Sequence, residues 1–311
     1  MKGANAMDLT TIFCQADEFC KYYEKNAPKE LLERDSCEVM RRGCSMSRSE
    51  LMALTIYYAA LSTELKTFKA FYKYRYDELK SAFPGLLSYN RIIELREELL
   101  TPLAMFFISL FAHCTGTSWI DSTKIIACHN KRQYSHKTLK AIAAKGKTGD
   151  GWFYGLKLHA VVNEFSEFVM IMLTPGNVAD NSEAVINTCT RHLQGLLFGD
   201  KGYILSPERW RELYERGLKL IHGLRANMRN KFVSLDEKLL LSKRANICES
   251  PFSKLKDRMS LQSTKHRSLY GFFCNTLTML IAYQLWARER ARILRQKTLQ
   301  DLPENIAIIT S

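Results

Sequence analysis

Apolar positions in the first part of the chain repeat at three- and four-residue steps. Over residues 51–61 and 65–83 this spacing predicts helices with one face turned to a core. Ser47-Arg48-Ser49-Glu50 has the form of a capping box, in which a hydroxyl and a carboxylate take up free amides of a first turn. A helix is expected to start there. Pro84-Gly85 ends the second helix. A third is expected from Ser88 through Arg91, Ile92, Leu95 and Leu99 towards Phe111, bent or divided at Pro102, which lacks the amide a helix needs. Such helices suit either a helix-turn-helix reader of DNA or a scaffold and dimerisation bundle.

The rhythm changes at Thr115-Gly116-Thr117. Residues 118–127 read as a strand, and a polar, basic loop is expected over 129–151. Residues 153–163 and 168–174 read as a hairpin turning at 164–167 and ended by Pro175-Gly176-Asn177. Asn181 or Ser182 caps a helix to His192. Residues 195–199 hold a short apolar run typical of a buried parallel strand. Ser206-Pro207 opens a helix, with proline at its first position, and Gly217 stops it before a strand at 218–221. Helix returns near Asn246 and again over 271–297. The order β, ββ, α, β, α, β, α predicts an α/β fold: a mixed sheet flanked by helices over 116–297, behind an all-helical region at 1–115 and before a tail at 298–311.

Composition narrows the class. In 311 residues, 46% hydrophobic and 25% charged is a globular balance and excludes a disordered chain. The net charge of +13 lies in two segments: 121–160 carries +6 and 241–297 carries +9, while 1–120 and 161–240 are each neutral. Paired basic blocks with neutral flanks point to nucleic acid. The nine cysteines form no C-x-x-C pair, which fits reduced thiols rather than zinc knuckles. The first ten residues lack the apolar core of a signal peptide. The apolar stretch 99–114 is interrupted by Thr101, Pro102 and His113 and falls short of the ~20 residues of a membrane span. A soluble, cytoplasmic chain without a membrane partner is expected.

Both basic blocks contain acids suited to chemistry. Asp121 lies within the first predicted strand, where a carboxylate is costly unless paired or bound to a cation; an outward, hydrogen-bonded aspartate is the plainer alternative. Asp200 ends the short buried strand, where ligands bind in open α/β sheets; the alternative is a turn aspartate. Glu249 stands three residues after Asn246 and before Pro251, which fits a capping pair at a helix start. It also stands before the basic face Lys254-Leu255-Lys256-Asp257-Arg258, where a metal-binding acid would adjoin a phosphate track. Hard oxygen ligands of this kind suit Mg²⁺. Two such ions ~4 Å apart serve in-line phosphoryl displacement.

Several motifs follow in order: Gly155-Leu156-Lys157-Leu158-His159, then Leu173-Thr174-Pro175-Gly176-Asn177-Val178-Ala179-Asp180, then Phe198-Gly199-Asp200-Lys201-Gly202-Tyr203, then Arg244-Ala245-Asn246-Ile247-Cys248-Glu249 with Phe252 and Leu255-Lys256. Together, over about residues 88–290, they resemble the DDE transposases of bacterial insertion sequences. Order and spacing are most similar to the branch named after insertion sequence 982. The resemblance implies an RNase H-like fold with Asp121, Asp200 and Glu249 as the catalytic, metal-binding triad. It implies two Mg²⁺ ions, replaceable by Mn²⁺, with cleavage at the element ends and transfer of the freed 3′ hydroxyl into target DNA. The implied partners are the terminal inverted repeats and target DNA, bound by a homodimer or higher assembly. Lys157, His159 and Lys201 fall in family motifs and are expected on the phosphate backbone, with Tyr203 stacking on a base or ribose. Arg244, Lys254 and Lys256 are expected to bind DNA beside them. The plainer readings are a solvated strand lysine, a satisfied sheet histidine, a turn lysine and a packing tyrosine. Arg288, Arg290, Arg292 and Arg295 form either a DNA clamp or the solvated end of a core helix. Two departures stand out: Ser166 replaces a frequent hairpin glycine, and Cys248-Glu249-Ser250-Pro251 is a variant glutamate context. Neither removes an acid. The rival functions are a catalytically silent DNA-binding repressor derived from a transposase and a structure-selective nuclease of the same fold.

Overall fold

Side-chain caps set where most of the N-terminal helices begin. The structure, a computed structural model, describes residues 8–30, 44–62, 65, 67–223, 234–261 and 266–300, without the side chains of 245, 249 and 297–300. Helix α1 (Leu9–Asn26) starts at Asp8, whose carboxylate accepts the Thr11 amide at 2.7 Å. Helix α2 (Arg48–Ala60) starts at Ser47 with both halves of the expected capping box formed. It is buried along nearly its whole length.

The single helix expected over 65–83 is two, α3 (Phe68–Tyr74) and α4 (Tyr76–Ala82), divided at Arg75. Asp77 and Glu78 favour a fresh N-terminus there, since carboxylates offset the positive end of a helix dipole. The third helix is α5 (Tyr89–Arg96), a 3₁₀ turn (Glu97–Leu99) and α6 (Leu100–Ser109). The division precedes Pro102, whose ring crowds the carbonyl four residues earlier and which is tolerated in a first turn.

The strands are β1 (Thr117–Cys128), β2 (Ala144–Thr148), β3 (Gly151–Asn163), β4 (Phe168–Pro175), β5 (Gly195–Gly199) and β6 (Leu218–His222). Their order is β2-β3-β1-β5-β6, with β4 also paired to β3. β2 and β4 share the outer edge of β3, opposite 151–155 and 156–162 respectively. The β1, β3 and β4 pairings are antiparallel, whereas β5 runs parallel to β1 and β6. β2 corrects the expected loop. Its Ala-Lys-Gly-Lys-Thr sequence has no apolar alternation, and only pairing with β3 makes it a strand.

Helices α7 (Glu183–Thr190) and α8 (Pro207–Glu215) cover one face, over a core that includes Ile120, Val161, Leu197 and Leu220. Helices α9 (Leu235–Ser253) and α10 (Leu269–Gln300) cover the other, over Trp119, Ile125, Leu158 and Phe198. This second core continues without a break into the helical region as far as Ile12. The change of pattern near residue 115 is thus a change of element type inside one core. The whole is the mixed α/β, RNase H-like arrangement expected, with a helical region before it.

Helix α9 begins well before Asn246, at Ser234, whose capping box with Glu237 is complete. Asn246 and Glu249 therefore lie inside a helix, and the capping role considered for Glu249 does not apply. Pro251 is also internal, followed by a π turn at Lys254–Arg258. Having no amide, Pro251 leaves the Ile247 carbonyl without its helical donor. The Ser166 hydroxyl donates to that carbonyl at 3.3 Å. Ser166 itself sits in the β3–β4 turn with φ +64°, the left-handed region that glycine prefers. The two departures from the family pattern are thus joined by one hydrogen bond. No described helix is long and apolar enough to cross a membrane.

Candidate active site

The parallel register of β1 and β5 brings two acids together. Trp119 pairs with Phe198, their rings stacked at 5.7 Å between centroids, and the Trp119 indole N–H donates to the Leu240 carbonyl of α9 at 3.2 Å. Two residues past that last pair, Asp121 continues along β1 and Asp200 stands just beyond the end of β5, near enough for its charge to act on Asp121. Asp121 takes the Ser122 amide on one oxygen and Arg244 of α9 on the other, at 2.8 and 2.9 Å. Burial pushes its carboxyl up to about 6, against the pull of Arg244, and the nearby Asp200 and Asp180 push the same way.

The Phe198–Tyr203 motif can be explained residue by residue. Asp200 caps the turn Lys201–Tyr203 by accepting the Gly202 amide at 2.7 Å. A Cβ on Gly202 would meet Asp200 Oδ1 at 2.9 Å and Asp180 Oδ2 at 3.3 Å, so the missing side chain lets two carboxylates close around the turn. A Cβ on Gly199 would lie 3.0 Å from the Tyr203 side chain. Tyr203 packs into the core beneath the α7–α8 face, 1% exposed, with no partner for its hydroxyl among the described residues. Its phenol is raised by burial and by the surrounding acids. The base-stacking role expected of Tyr203 is corrected: a ring so enclosed reaches no nucleotide.

Lys157 and His159 face the same side of β3 and are also enclosed. Lys157 donates to the Val178 carbonyl at 2.9 Å and to Asp180 at 3.2 Å. His159 is fully buried, with Nε2 2.9 Å from the Thr174 hydroxyl and Nδ1 3.6 Å from Asp180. Burial pulls the imidazole down to about 4, although Asp180 resists, so it is neutral at pH 7. Neither side chain reaches the phosphate backbone expected for it; both support the site from below. Their common partner is Asp180, which also accepts the Ser122 hydroxyl at 2.9 Å. Asp180 closed one of the sequence motifs without a role. Nothing in its spacing signals that β1, β3 and the Asp200 turn converge on it.

Of the remaining predicted contacts, Lys201 is exposed and Lys256 partly so. Arg244 is engaged by Asp121. Lys254 rests its ammonium over the Trp286 ring, and burial, then Arg258 and Arg290, pull it down to about 7. Two of the four clamp arginines are paired with carboxylates, Arg292 with Glu289 at 2.6 Å and Arg295 with the buried Glu167 at 2.8 Å.

Glu249 belongs to α9, which lies across β1 and β5 and carries Arg244 to Asp121. The Glu249 side chain lies outside the described residues. Among the described residues, no three His, Cys, Asp or Glu side chains form a metal-holding group. The two aspartates do fit a hard cation. They are adjacent, one is destabilised as an anion, and a guanidinium already lies against it. No curated protein matches the chain. The family model of the transposase DDE domain matches residues 111–269, more than half of the chain, and spans β1, β5 and α9. By that match, the chain belongs to the transposase DDE domain family.

Proposed function

We propose that this chain is a metal-dependent DNA transposase of an insertion sequence, with Asp121, Asp200 and Glu249 as its catalytic triad. The observation that carries the reading is that the β1–β5 register, ending at Trp119 and Phe198, brings Asp121 and Asp200 close together beside the helix that bears Glu249. Two Mg²⁺ or Mn²⁺ ions, when bound, supply activation of the attacking oxygen and stabilisation of the leaving one. Asp121 and Asp200 offer the carboxylate oxygens. Arg244 holds one oxygen of Asp121, and in this reading its guanidinium also contacts the DNA backbone. In cleavage, water attacks phosphorus at the element end, the P–O3′ bond breaks, and the 3′ oxygen leaves as a hydroxyl. In strand transfer, that 3′ hydroxyl attacks a target phosphodiester and a target 3′ oxygen leaves. Holding two ends at once calls for a dimer or higher assembly on DNA.

The test is nicking and joining of a plasmid that carries the DNA flanking this chain's gene. Wild type is run beside Asp200→Asn with Mg²⁺, Mn²⁺ or EDTA. Border cuts are expected with either metal and not with EDTA. The variant should lose on the order of a thousandfold or more in rate. Binding without cutting in any metal would overturn the reading and favour a silent repressor. Cuts confined to branched DNA, with no joining, would favour a structure-selective nuclease.

A further inference from the structure

β1 and β3 run on together past the end of β5, so that a two-stranded arm, edged by β2 and part of β4, extends beyond Asp121. Near its end stands Trp152, 57% exposed. It pairs across the strands with Lys147, and Lys145 pairs with Tyr154 beside it. The Lys145 ammonium lies 4.9 Å from the Trp152 ring centroid and that of Lys147 5.6 Å. The Asn130 amide donates to the Trp152 carbonyl at 2.7 Å, tying the neighbouring loop to the same spot. That loop presents Lys131, Arg132 and Tyr134, the last 90% exposed. Residues 129–149 contain no acid, and the nearest one, Asp150, is held by Lys124 at 2.8 Å.

Lysines alone on an edge strand have an ordinary use, which is to prevent edge-to-edge pairing. An exposed indole among them works against that use, because it makes the edge stickier. A flat ring with cations at its face is instead the combination that takes a base and its phosphates together. In a duplex both faces of each base are occupied by neighbours, so a free ring selects unpaired nucleotides. Trp152 and Asp121 also share a face. Asp121 pairs with Ala160, and Trp152 lies eight residues before Ala160 on β3, an even number that keeps the side chains on one side.

We propose that the arm end formed by Trp152, Lys145 and Lys147 is a binding site for unpaired DNA, in which a base stacks on the indole and the lysines hold its phosphates. Eight residues of strand span about 26 Å. The inference rests on the transposase reading only in naming DNA as the polyanion.

Intrinsic tryptophan fluorescence of the full chain tests it, titrated with oligo(dT), with a blunt duplex of equal length and with polyglutamate. Oligo(dT) should quench wild type and fail to quench Trp152→Phe, which keeps a stacking ring and hence near wild-type affinity. Trp152→Ala should weaken oligo(dT) binding about tenfold or more. Changing Lys145 and Lys147 together to Ala should lower the salt slope by about 1.4, at 0.7 per contact on a single strand. Trp152→Ala binding within twofold of wild type would overturn the proposal. So would equal quenching by the duplex or by polyglutamate. Oligo(dT) contains no element end, so border cutting without this stacking sinks the arm site alone. Stacking without border cutting sinks the transposase reading alone.

Discussion

Asp121 and His159 sit on opposite faces of one stretch of sheet, and burial displaces both from their ordinary ionisation. Asp121 is raised to about 6, so between about pH 4 and 6 the folded chain holds more proton than the unfolded one. Its contribution to stability therefore falls as pH rises through that range, and the cost is fully present above it. His159 is lowered to about 4, so between about 4 and 6.5 the unfolded chain holds more proton. Its contribution rises with pH over that window and is complete above 6.5. Each amounts to roughly 3 kcal/mol at most, and the two offset one another between pH 4 and 6. Asp121→Asn should therefore leave a stability that climbs over this window more steeply than wild type. Urea unfolding at pH 4.5, 5.5 and 6.5 in EDTA measures this, and identical slopes for variant and wild type would refute it. Arg244→Ala removes the largest opposing influence on Asp121, so the carboxyl should rise further. The acid limb of metal-dependent cutting should then move to higher pH, and an unmoved limb would show that Asp121 does not govern it.

Between elements, the contact of Ser166 with Ile247 couples the β3–β4 turn to α9 because Pro251 withholds an amide. Ser166→Ala should cost about 1 kcal/mol in the wild-type background, where the Ile247 carbonyl is left without a donor. With Pro251→Ala, residue 251 regains an amide, and the same change should cost measurably less. A double-mutant cycle by urea unfolding reads the difference, and a coupling of zero would break the link. Capping and apolar runs made much of the architecture legible. Ser47 and Glu50 marked α2, and Leu196–Phe198 marked β5 with its parallel direction. The start of α9 carried the same signal in Ser234-Leu235-Asp236-Glu237, which the later Asn246 overshadowed. β2 was not legible, because an edge of lysine and glycine has no pattern of its own. The positions of Asp121 inside the first strand and Asp200 after a short buried strand were legible, whereas their closeness needed the β1–β5 register. Asp180 was not, because its role exists only where Ser122, Lys157, His159 and Gly202 converge in space.

Across the whole molecule, the two basic blocks of the sequence meet. Lys256, beyond the end of α9, lies close enough to Asp150 at the β2–β3 turn to help lower its carboxyl, after the stronger effect of Lys124. The neutral helical region backs the same sheet through α10, which packs on α2 and α6. Within α10, Leu280–Tyr283, Leu285 and Ala287 are buried almost all round, as expected of a helix enclosed on every side. Gln284 accepts the Phe168 amide at 2.8 Å and donates to the carbonyls of Leu110 and Phe168 at 2.8 and 3.1 Å, fastening α6 and β4 to α10. Cys274 reaches the Arg96 carbonyl in α5 at 3.1 Å. Removing residues 1–110 would strip one side of α10 and leave Gln284 and Cys274 without their partners there. Each uncovered large apolar side chain costs about 1.5–3 kcal/mol. A few of them match the ~5–15 kcal/mol that holds a domain folded. Residues 111–297 expressed alone should therefore show helix by far-UV circular dichroism but no cooperative melt, and should bind an apolar dye. A sharp melt within a few degrees of the full chain would mean that the sheet and α10 close a core of their own. The helical region would then be an appended module.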